Sequence, residues 1–166
     1  MSSANTLIAK TLKLVKLFEG FTEQDVIDFM RVARRQDVVA GERIVTEGRP
    51  GDDAYIVIAG ELRVVSRVGT EEETIATLQA GDTFGELVLV DAGVRSASVI
   101  ADGPGTLLRF QRESFGLAPT LLIKILVNVC KLLAHRLRMS NKEAAVARTS
   151  LASTPDSADG GGASVS

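Results

Sequence analysis

Short runs rich in valine and isoleucine alternate with glycine turns between Gln36 and Gln111, and this alternation restricts the fold more than any other feature of the sequence. Strands at such regular spacing are typical of a closed or rolled antiparallel sheet. Apart from one apolar turn at Glu86–Val90, no helical pattern separates them, which argues against a parallel α/β sheet. We therefore predict an α+β protein built on an antiparallel, jelly-roll-like β-roll of about eight strands. The runs that predict strands are DVVA, RIVTE, AYIVIA, LRVVSRV, TIATL, SASVIA and TLLRF.

Helical patterns flank the strand region on both sides. Leucines recur at helical spacing before Phe18, and Thr22 followed by acidic residues is typical of a helix N-terminus. A broad apolar stripe after Pro119 predicts a long helix, and its surplus apolar face suggests a second partner such as another subunit or a ligand. The serine- and glycine-rich C-terminus is expected to be disordered. The predicted divisions are an N-terminal helical segment at 1–35, the β-roll at 36–118, a C-terminal lid or dimerisation helix at 119–148 and a tail at 149–166.

The composition excludes several classes of protein. The chain of 166 residues has a net charge of −2, one cysteine (Cys130) and one histidine (His135), so an intrachain disulfide and a Cys/His zinc site are excluded. The near-neutral charge argues against a dedicated nucleic-acid binder. No apolar run is long enough for a membrane helix, and lysines interrupt the run Thr6–Phe18, which argues against a signal peptide. We expect a cytoplasmic protein that binds neither metal, nucleic acid nor membrane.

Side chains suited to catalysis are sparse. His135 lies in a helical segment among basic residues, without a nucleophile in view. Asp52 and Asp53 lie in a glycine-flanked turn, where aspartates commonly cap their own backbone. We therefore predict that the protein is not an enzyme and uses no catalytic cofactor.

The segment Gly81–Val99 carries the most informative chemistry. Gly85 and Glu86 end a strand and open a short helical turn, whose free amides can bind an anion. Arg95 is predicted to open the next strand and, by alternation, to point into the roll, where an arginine needs an anionic partner. Glu86 itself could be that partner. Alternatively, Arg95 binds a ligand phosphate while Glu86 accepts hydrogen bonds from ligand hydroxyls.

This segment resembles the phosphate-binding cassette of cyclic nucleotide-binding domains of the catabolite activator protein and protein kinase A regulatory subunit type. That cassette reads approximately F-G-E-(L/I)-(A/G)-L and then R-(S/A/T)-A-(S/T/W)-V, and Phe84–Leu87 and Arg95–Val99 match its two halves. The resemblance extends over roughly residues 15–141. Val94 stands where the family usually has proline, and Val88 where it has a small residue, so the shape of the loop is in doubt.

The resemblance implies a role for each matching residue. Glu86 would hold the ribose 2′-hydroxyl and Arg95 the cyclic phosphate. Ser96 would contribute its amide and hydroxyl. The backbone amides of Gly85, Leu87 and Ala97 would complete the phosphate cradle.

The base side of the pocket is less defined. The family pattern places Val64, Ile75 and Ala76 there, and a similar long helix in the catabolite activator protein type places Arg136, Ser140 and Asn141 at the base. Asparagine suits an adenine edge because it both donates and accepts hydrogen bonds. Because the hydroxyls of Ser96 and Ser98 are close to the cassette, guanine remains an alternative base. Ser140 and Asn141 are equally consistent with ordinary residues at a helix end.

The predicted function is that of a cytosolic cyclic nucleotide receptor. We expect it to bind cAMP, with cGMP as the second choice, and to signal by moving its C-terminal helix toward an unidentified effector protein, with a homodimer through that helix as a further expectation. Eighteen residues follow Arg148, too few for a helix-turn-helix domain, so we expect either a stand-alone receptor that acts through a partner or a fragment of a longer protein. Two alternatives remain: a scaffold of the same fold that binds no nucleotide, and a receptor for a cyclic dinucleotide.

Overall fold

Two four-stranded antiparallel sheets form the centre of the computed structural model, which describes residues 15–91, 93–116 and 118–152. The first sheet has the order β1-β8-β3-β6 and the second the order β2-β7-β4-β5, which confirms the predicted antiparallel roll of eight strands. The strand bounds are β1 Arg34–Val38, β2 Arg43–Val45, β3 Asp53–Ala59, β4 Leu62–Val68, β5 Glu71–Leu78, β6 Thr83–Phe84, β7 Ser98–Ala101 and β8 Gly105–Gln111.

Two α-helices accompany the sheets. Helix α1 spans Glu23–Val32 and helix α2 spans Pro119–Ala152, while 3₁₀ turns lie at Lys16–Phe18, Glu86–Leu89 and Arg112–Phe115. Helix α2 ends four residues beyond the predicted end at 148, because the helical hydrogen bonding continues into the first residues of the predicted tail. The remainder of that tail, and the predicted N-terminal helix before residue 15, lie outside the described residues.

Two compact units divide the chain within α2, the first ending at Leu132 and the second beginning at Leu133. No helix among the described residues has the length and hydropathy that a membrane span needs.

The two sides of strand β8 face different parts of the core, because successive side chains of a strand point to opposite faces. Leu107 joins the cluster inside the roll, to which strands of both sheets contribute Val57, Leu62 and Val99. Phe110 points to the other side and contacts Phe29 of α1, at 5.0 Å between ring centroids. Helix α1 therefore packs on the outer side of β8, and β8 connects the two layers of the core.

Polar contacts fix the start of α2 to the N-terminal segment. The amide of Asn128, which is buried, donates to the carbonyls of Leu17 at 2.8 Å and Glu19 at 2.9 Å. Lys124 donates to the carboxylate of Asp25 at 2.6 Å. Asp25 also completes the capping box of α1, in which it accepts from the Thr22 amide at 2.7 Å, so the predicted helix N-terminus is confirmed.

Replacing Asp25 by asparagine should destabilise the protein in a pH-dependent manner. Hydrogen bonds from Lys124 and then from Thr22 lower the pKa of Asp25 to about 2. Because this folded-state pKa lies below the unfolded value of about 3.9, the stabilisation is complete above pH ~4 and is lost as the pH falls to ~2. We expect Asp25→Asn to lower the free energy of unfolding by about 1 kcal/mol at pH 7, and by almost nothing near pH 2, in urea titrations.

Asp28→Asn is the matched control, because Asp28 lies on the same helix and forms an exposed ion pair with Arg31. Such a pair contributes at most a few tenths of a kcal/mol. Equal losses in the two variants at pH 7, or a loss for Asp25→Asn that persists at pH 2, would contradict the assignment.

Candidate functional site

Gly85 connects strand β6 to the 3₁₀ turn Glu86–Leu89. Its backbone is left-handed, with φ 71° and ψ 9°, a conformation that favours glycine. A Cβ atom at this position would lie 2.6 Å from Arg95 Nη1 and 2.9 Å from the carbonyl oxygen of Asp53. Gly85 is therefore required both for the turn and for the close approach of Arg95.

Arg95 is the most unusual residue of the structure, because its guanidinium is buried with one nitrogen unpaired. The residue is 7% exposed, and its Nη2 donates to the carbonyl of Asp53 at 2.8 Å. Within the part of the chain that is described, Nη1 is buried and has no hydrogen-bond partner. On the other side, a Cβ on Gly51 would lie 2.8 Å from Nη2, so the guanidinium is enclosed between two glycines.

A buried donor without a partner is unfavourable by about 1–3 kcal/mol, and more when it is charged. Such an atom in a native structure therefore calls for an acceptor that is absent from the protein itself. An anionic ligand placed against Nη1 supplies that acceptor. The glycines at 51 and 85 provide the space that the guanidinium itself occupies, because a Cβ at either position would clash with it.

The backbone around Arg95 differs from the prediction. The sequence pattern places Arg95 at the start of a strand, whereas β7 begins at Ser98 and only an isolated bridge joins Val94 to Pro50. The expectation was wrong because the segment pairs with the loop before β3. The Arg95 amide donates to the Arg49 carbonyl at 2.9 Å, and the Arg95 carbonyl accepts from the Gly48 amide at 2.8 Å.

Glu86 and the remaining cassette residues occupy the two halves of the same site. Glu86, the first residue of the 3₁₀ turn, is 2% exposed, whereas Leu87 is exposed. Ser96 is exposed and Ala97 is half-buried, and both lie between Arg95 and β7. The contact of Gly85 with Arg95 brings the two halves together.

The two candidate hydroxyls have different surroundings. Ser98 is buried, and its Oγ accepts a hydrogen bond from the Glu47 amide at 2.9 Å. That bond ties Ser98 to the loop before β3. Ser96 is the hydroxyl that faces solvent.

The structure brings together the predicted base-side residues of the sheet. Val64 is the register partner of Ala76, and it packs against the core of the roll. A register shift leaves Ile75 as an extra residue between the pairs Val64–Ala76 and Val65–Thr74, which is a β-bulge. Arg136, Ser140 and Asn141 lie on α2 in the second compact unit, so their role at a base stays a prediction.

Asp53 and Gly51 contact Arg95 but are not among the site residues that the sequence predicts. The sequence predicts that Asp52 and Asp53 cap their own backbone, whereas Asp53 begins β3 and its carbonyl accepts a hydrogen bond from Arg95. Its carboxylate forms an ion pair with Arg109 Nε at 3.0 Å and accepts a hydrogen bond from Gln111 Nε2 at 2.9 Å. A backbone acceptor has no side-chain signature in a sequence, and the glycine before the strand is the only available signal.

Alanine at Gly85 should be far more damaging than alanine at Gly69. Both glycines have a positive φ, 71° and 64°, but nothing lies within 4 Å of a Cβ at Gly69. We expect Gly69→Ala to lower the free energy of unfolding by about 1 kcal/mol through backbone strain. Gly85→Ala should lower it by about 3 kcal/mol, because overpacking against Arg95 adds to that strain.

Urea titrations of both variants measure this difference. Equal losses would show that the contact between Gly85 and Arg95 is not tight in solution. A Gly85→Ala protein as stable as the wild type would show that the turn itself is different.

Comparisons with known proteins agree with this geometry. Residues 35–116 match the family model for the cyclic nucleotide-binding domain. The chain is 34% identical over 128 residues to the Cyclic AMP receptor protein of Thermus thermophilus, which covers 76% of this chain and 59% of that protein. It is 32% identical over 108 residues to the cGMP-dependent protein kinase egl-4 of Caenorhabditis elegans, which covers 63% of this chain and 14% of the kinase.

Among solved structures, the Thermus thermophilus Catabolite Activator Protein is similar with a TM-score of 0.73 and 32% identity, over 80% of this chain and 63% of that one. The chain thus spans less than two thirds of each of these three relatives. The range 35–116 that matches the family model contains the cassette and Arg95. The β-roll of this chain belongs to the cyclic nucleotide-binding domain family, a regulatory domain that binds its ligand without catalysis.

Proposed function

We propose that this chain is a receptor for a cyclic mononucleotide, with cAMP as the ligand, and that Arg95 binds the phosphate while Glu86 binds the ribose. The observation that carries the proposal is the buried Nη1 of Arg95, which has no hydrogen-bond partner among the described residues. A guanidinium is always charged, and a phosphate oxygen is the acceptor that suits it best.

The groups near Arg95 suit the ribose and the base of a nucleotide as well as its phosphate. Glu86 is buried at the start of the turn beside Gly85, and an ionised carboxylate accepts hydrogen bonds from hydroxyls. A cyclic phosphate fused to a ribose presents an anion and a hydroxyl close together. The apolar side chains of Val64 and Ala76, paired across two strands, offer a surface for the base.

The choice of cAMP over cGMP has weaker support. One relative is named a cyclic AMP receptor and another a cGMP-dependent kinase, so similarity alone supports both ligands. Asn141 favours adenine if α2 reaches the base, and the exposed Ser96 hydroxyl offers a contact to guanine. We therefore propose cAMP first and cGMP second.

Calorimetric titration with cAMP, cGMP and cyclic di-GMP tests the proposal. We expect cAMP to bind at micromolar strength or better and Arg95→Ala to weaken it by about 2–3 kcal/mol, or roughly 30–150-fold, because a charged hydrogen bond is lost. Arg35→Ala is the control, since Arg35 forms an exposed ion pair with Asp37 on β1, and it should bind like the wild type.

Each of the other results has a definite meaning. Binding of cyclic di-GMP alone would identify a dinucleotide receptor. No binding of any of the three by the folded protein would favour a scaffold of the same fold.

We further propose that the receptor acts in the cytoplasm as a homodimer that contacts an effector protein through α2. Ile123 and Val127 lie one turn apart on the first part of this helix and are 61% and 50% exposed. Exposed aliphatic side chains at this spacing form the edge that a second helix can cover. Leu137 and Met139 are also exposed on the later part of the helix.

Light scattering with size-exclusion chromatography tests the dimer. The wild type should have twice the mass of one chain, and Val127→Lys should have the mass of one chain, because a charge in an apolar helix contact is unfavourable. Val68→Lys is the control, since Val68 is 54% exposed on β4, and it should remain dimeric. A wild-type monomer with and without cAMP would refute the dimer.

A further inference from the structure

We infer that Asp53 is a positioning residue, which holds the guanidinium of Arg95 in the orientation that leaves Nη1 for the ligand. The inference rests on the proposed phosphate-binding role of Arg95. It adds to that role a network of polar residues from β3 and β8 that holds Asp53, and through Asp53 the guanidinium of Arg95, in place.

Asp53 makes contacts through both its backbone and its side chain. Its carbonyl accepts Nη2 of Arg95 at 2.8 Å. Its carboxylate accepts a hydrogen bond from Nε2 of Gln111 at 2.9 Å and forms an ion pair with Nε of Arg109 at 3.0 Å, both from the adjacent strand β8. Asp53 and Gln111 are also register partners, so the first residue of β3 is tied to β8 through both the strand pairing and Oδ1 of its carboxylate.

These ties matter because Asp53 begins its strand. The turn before it, Gly51 and Asp52, has no ladder pairing, so strand pairing holds the Asp53 peptide from one side only. A carboxylate anchored to two side chains of β8 fixes the orientation of that peptide. The carbonyl then points at Arg95, and only one of the two terminal nitrogens of the guanidinium remains for a ligand.

Tyr55 extends the same network to the half of the cassette that contains Gly85 and Glu86. It lies two residues after Asp53 on the same face of β3, and its register partners are Arg109 and Phe84. Its ring stacks on Phe84 with 4.7 Å between centroids and 8° between planes. Phe84 directly precedes Gly85. The two halves of the cassette, at Gly85 and at Arg95, therefore both adjoin the same row of side chains.

The electrostatics of Tyr55 agree with this arrangement. Burial raises the pKa of its phenol, and the Asp53 carboxylate raises it further, while Arg109 and Arg95 act in the opposite direction. The phenol therefore stays neutral and can donate a hydrogen bond in the direction of the carboxylate.

A positioned guanidinium binds its ligand more tightly because less side-chain freedom is lost on binding. Ordering a long side chain at a binding site weakens binding by roughly 2–12-fold. The network fixes Arg95 before the ligand arrives. A purely structural Asp53, by contrast, would stabilise the strand end without affecting Arg95.

The experiment compares Asp53→Ala with Asp37→Ala in the full chain. Asp37 is a matched control because its carboxylate also joins two strands of the same sheet, through Arg35 at 2.8 Å and Thr106 at 2.8 Å, away from Arg95. We expect Asp53→Ala to weaken cAMP binding roughly tenfold and Asp37→Ala to leave it within about twofold. Gln111→Ala removes one tie without changing Asp53 and serves as the second variant if Asp53→Ala fails to fold.

A double-mutant cycle shows whether Asp53 acts through Arg95. In an Arg95→Ala background, Asp53→Ala should change cAMP affinity by less than about twofold, as measured by NMR titration. An equal tenfold loss in both backgrounds would mean that Asp53 stabilises the fold only, and would overturn the inference.

A measurement without nucleotide separates this inference from the proposed function. In ¹⁵N NMR spectra of the wild type, the Nη hydrogens of Arg95 should give separate, slowly exchanging signals, which Asp53→Ala should merge and Asp37→Ala should preserve. If the wild type binds no cyclic nucleotide and this pattern holds, the positioning role stands while the proposed function fails. Merged signals in the wild type, or signals unchanged by Asp53→Ala and Gln111→Ala, would overturn the positioning role.

Discussion

The hydrogen bond from Arg95 to the carbonyl of Asp53 is the interaction on which the rest of the site depends, because it holds a charged group inside the roll. A buried guanidinium is tolerated only when most of its donors are satisfied. Among the described residues only part of this requirement is met, since Nη2 donates to the Asp53 carbonyl and Nη1 has no partner, while Gly51 and Gly85 leave the space for the guanidinium. The loop before β3 binds the backbone of Arg95, so the residue is held at both ends.

Strand β8 connects this site to the helical layer. Leu107 faces the interior of the roll, Phe110 packs on Phe29 of α1, and Arg109 and Gln111 hold the carboxylate of Asp53. The same strand thus contributes to the core, to the helix contact and to the position of Arg95. The bonds from Asn128 to the N-terminal segment then join the start of α2 to that layer.

The strands and the cap of α1 could be predicted because their signals are local. Alternating valine and isoleucine runs specify strands, and Thr22 with Asp25 specifies a helix start whatever the rest of the chain does. The bulge at Ile75 could not be predicted, because a register shift is a property of two paired strands and not of one. For the same reason the backbone pairing of Arg95 could not be predicted, because its partner lies in a loop more than 40 residues earlier in the chain.

The close packing of Gly51 and Gly85 against Arg95 also limits which substitutions the sequence can accept. Gly85 is restricted by its left-handed backbone as well as by the arginine, whereas the nearest atoms to a Cβ at Gly51 all belong to the Arg95 side chain. A descendant that replaced Arg95 with a small residue would release Gly51 from selection but not Gly85. Among diverging copies of this domain, we therefore expect a larger residue at the position of Gly51 only where Arg95 has been lost or displaced.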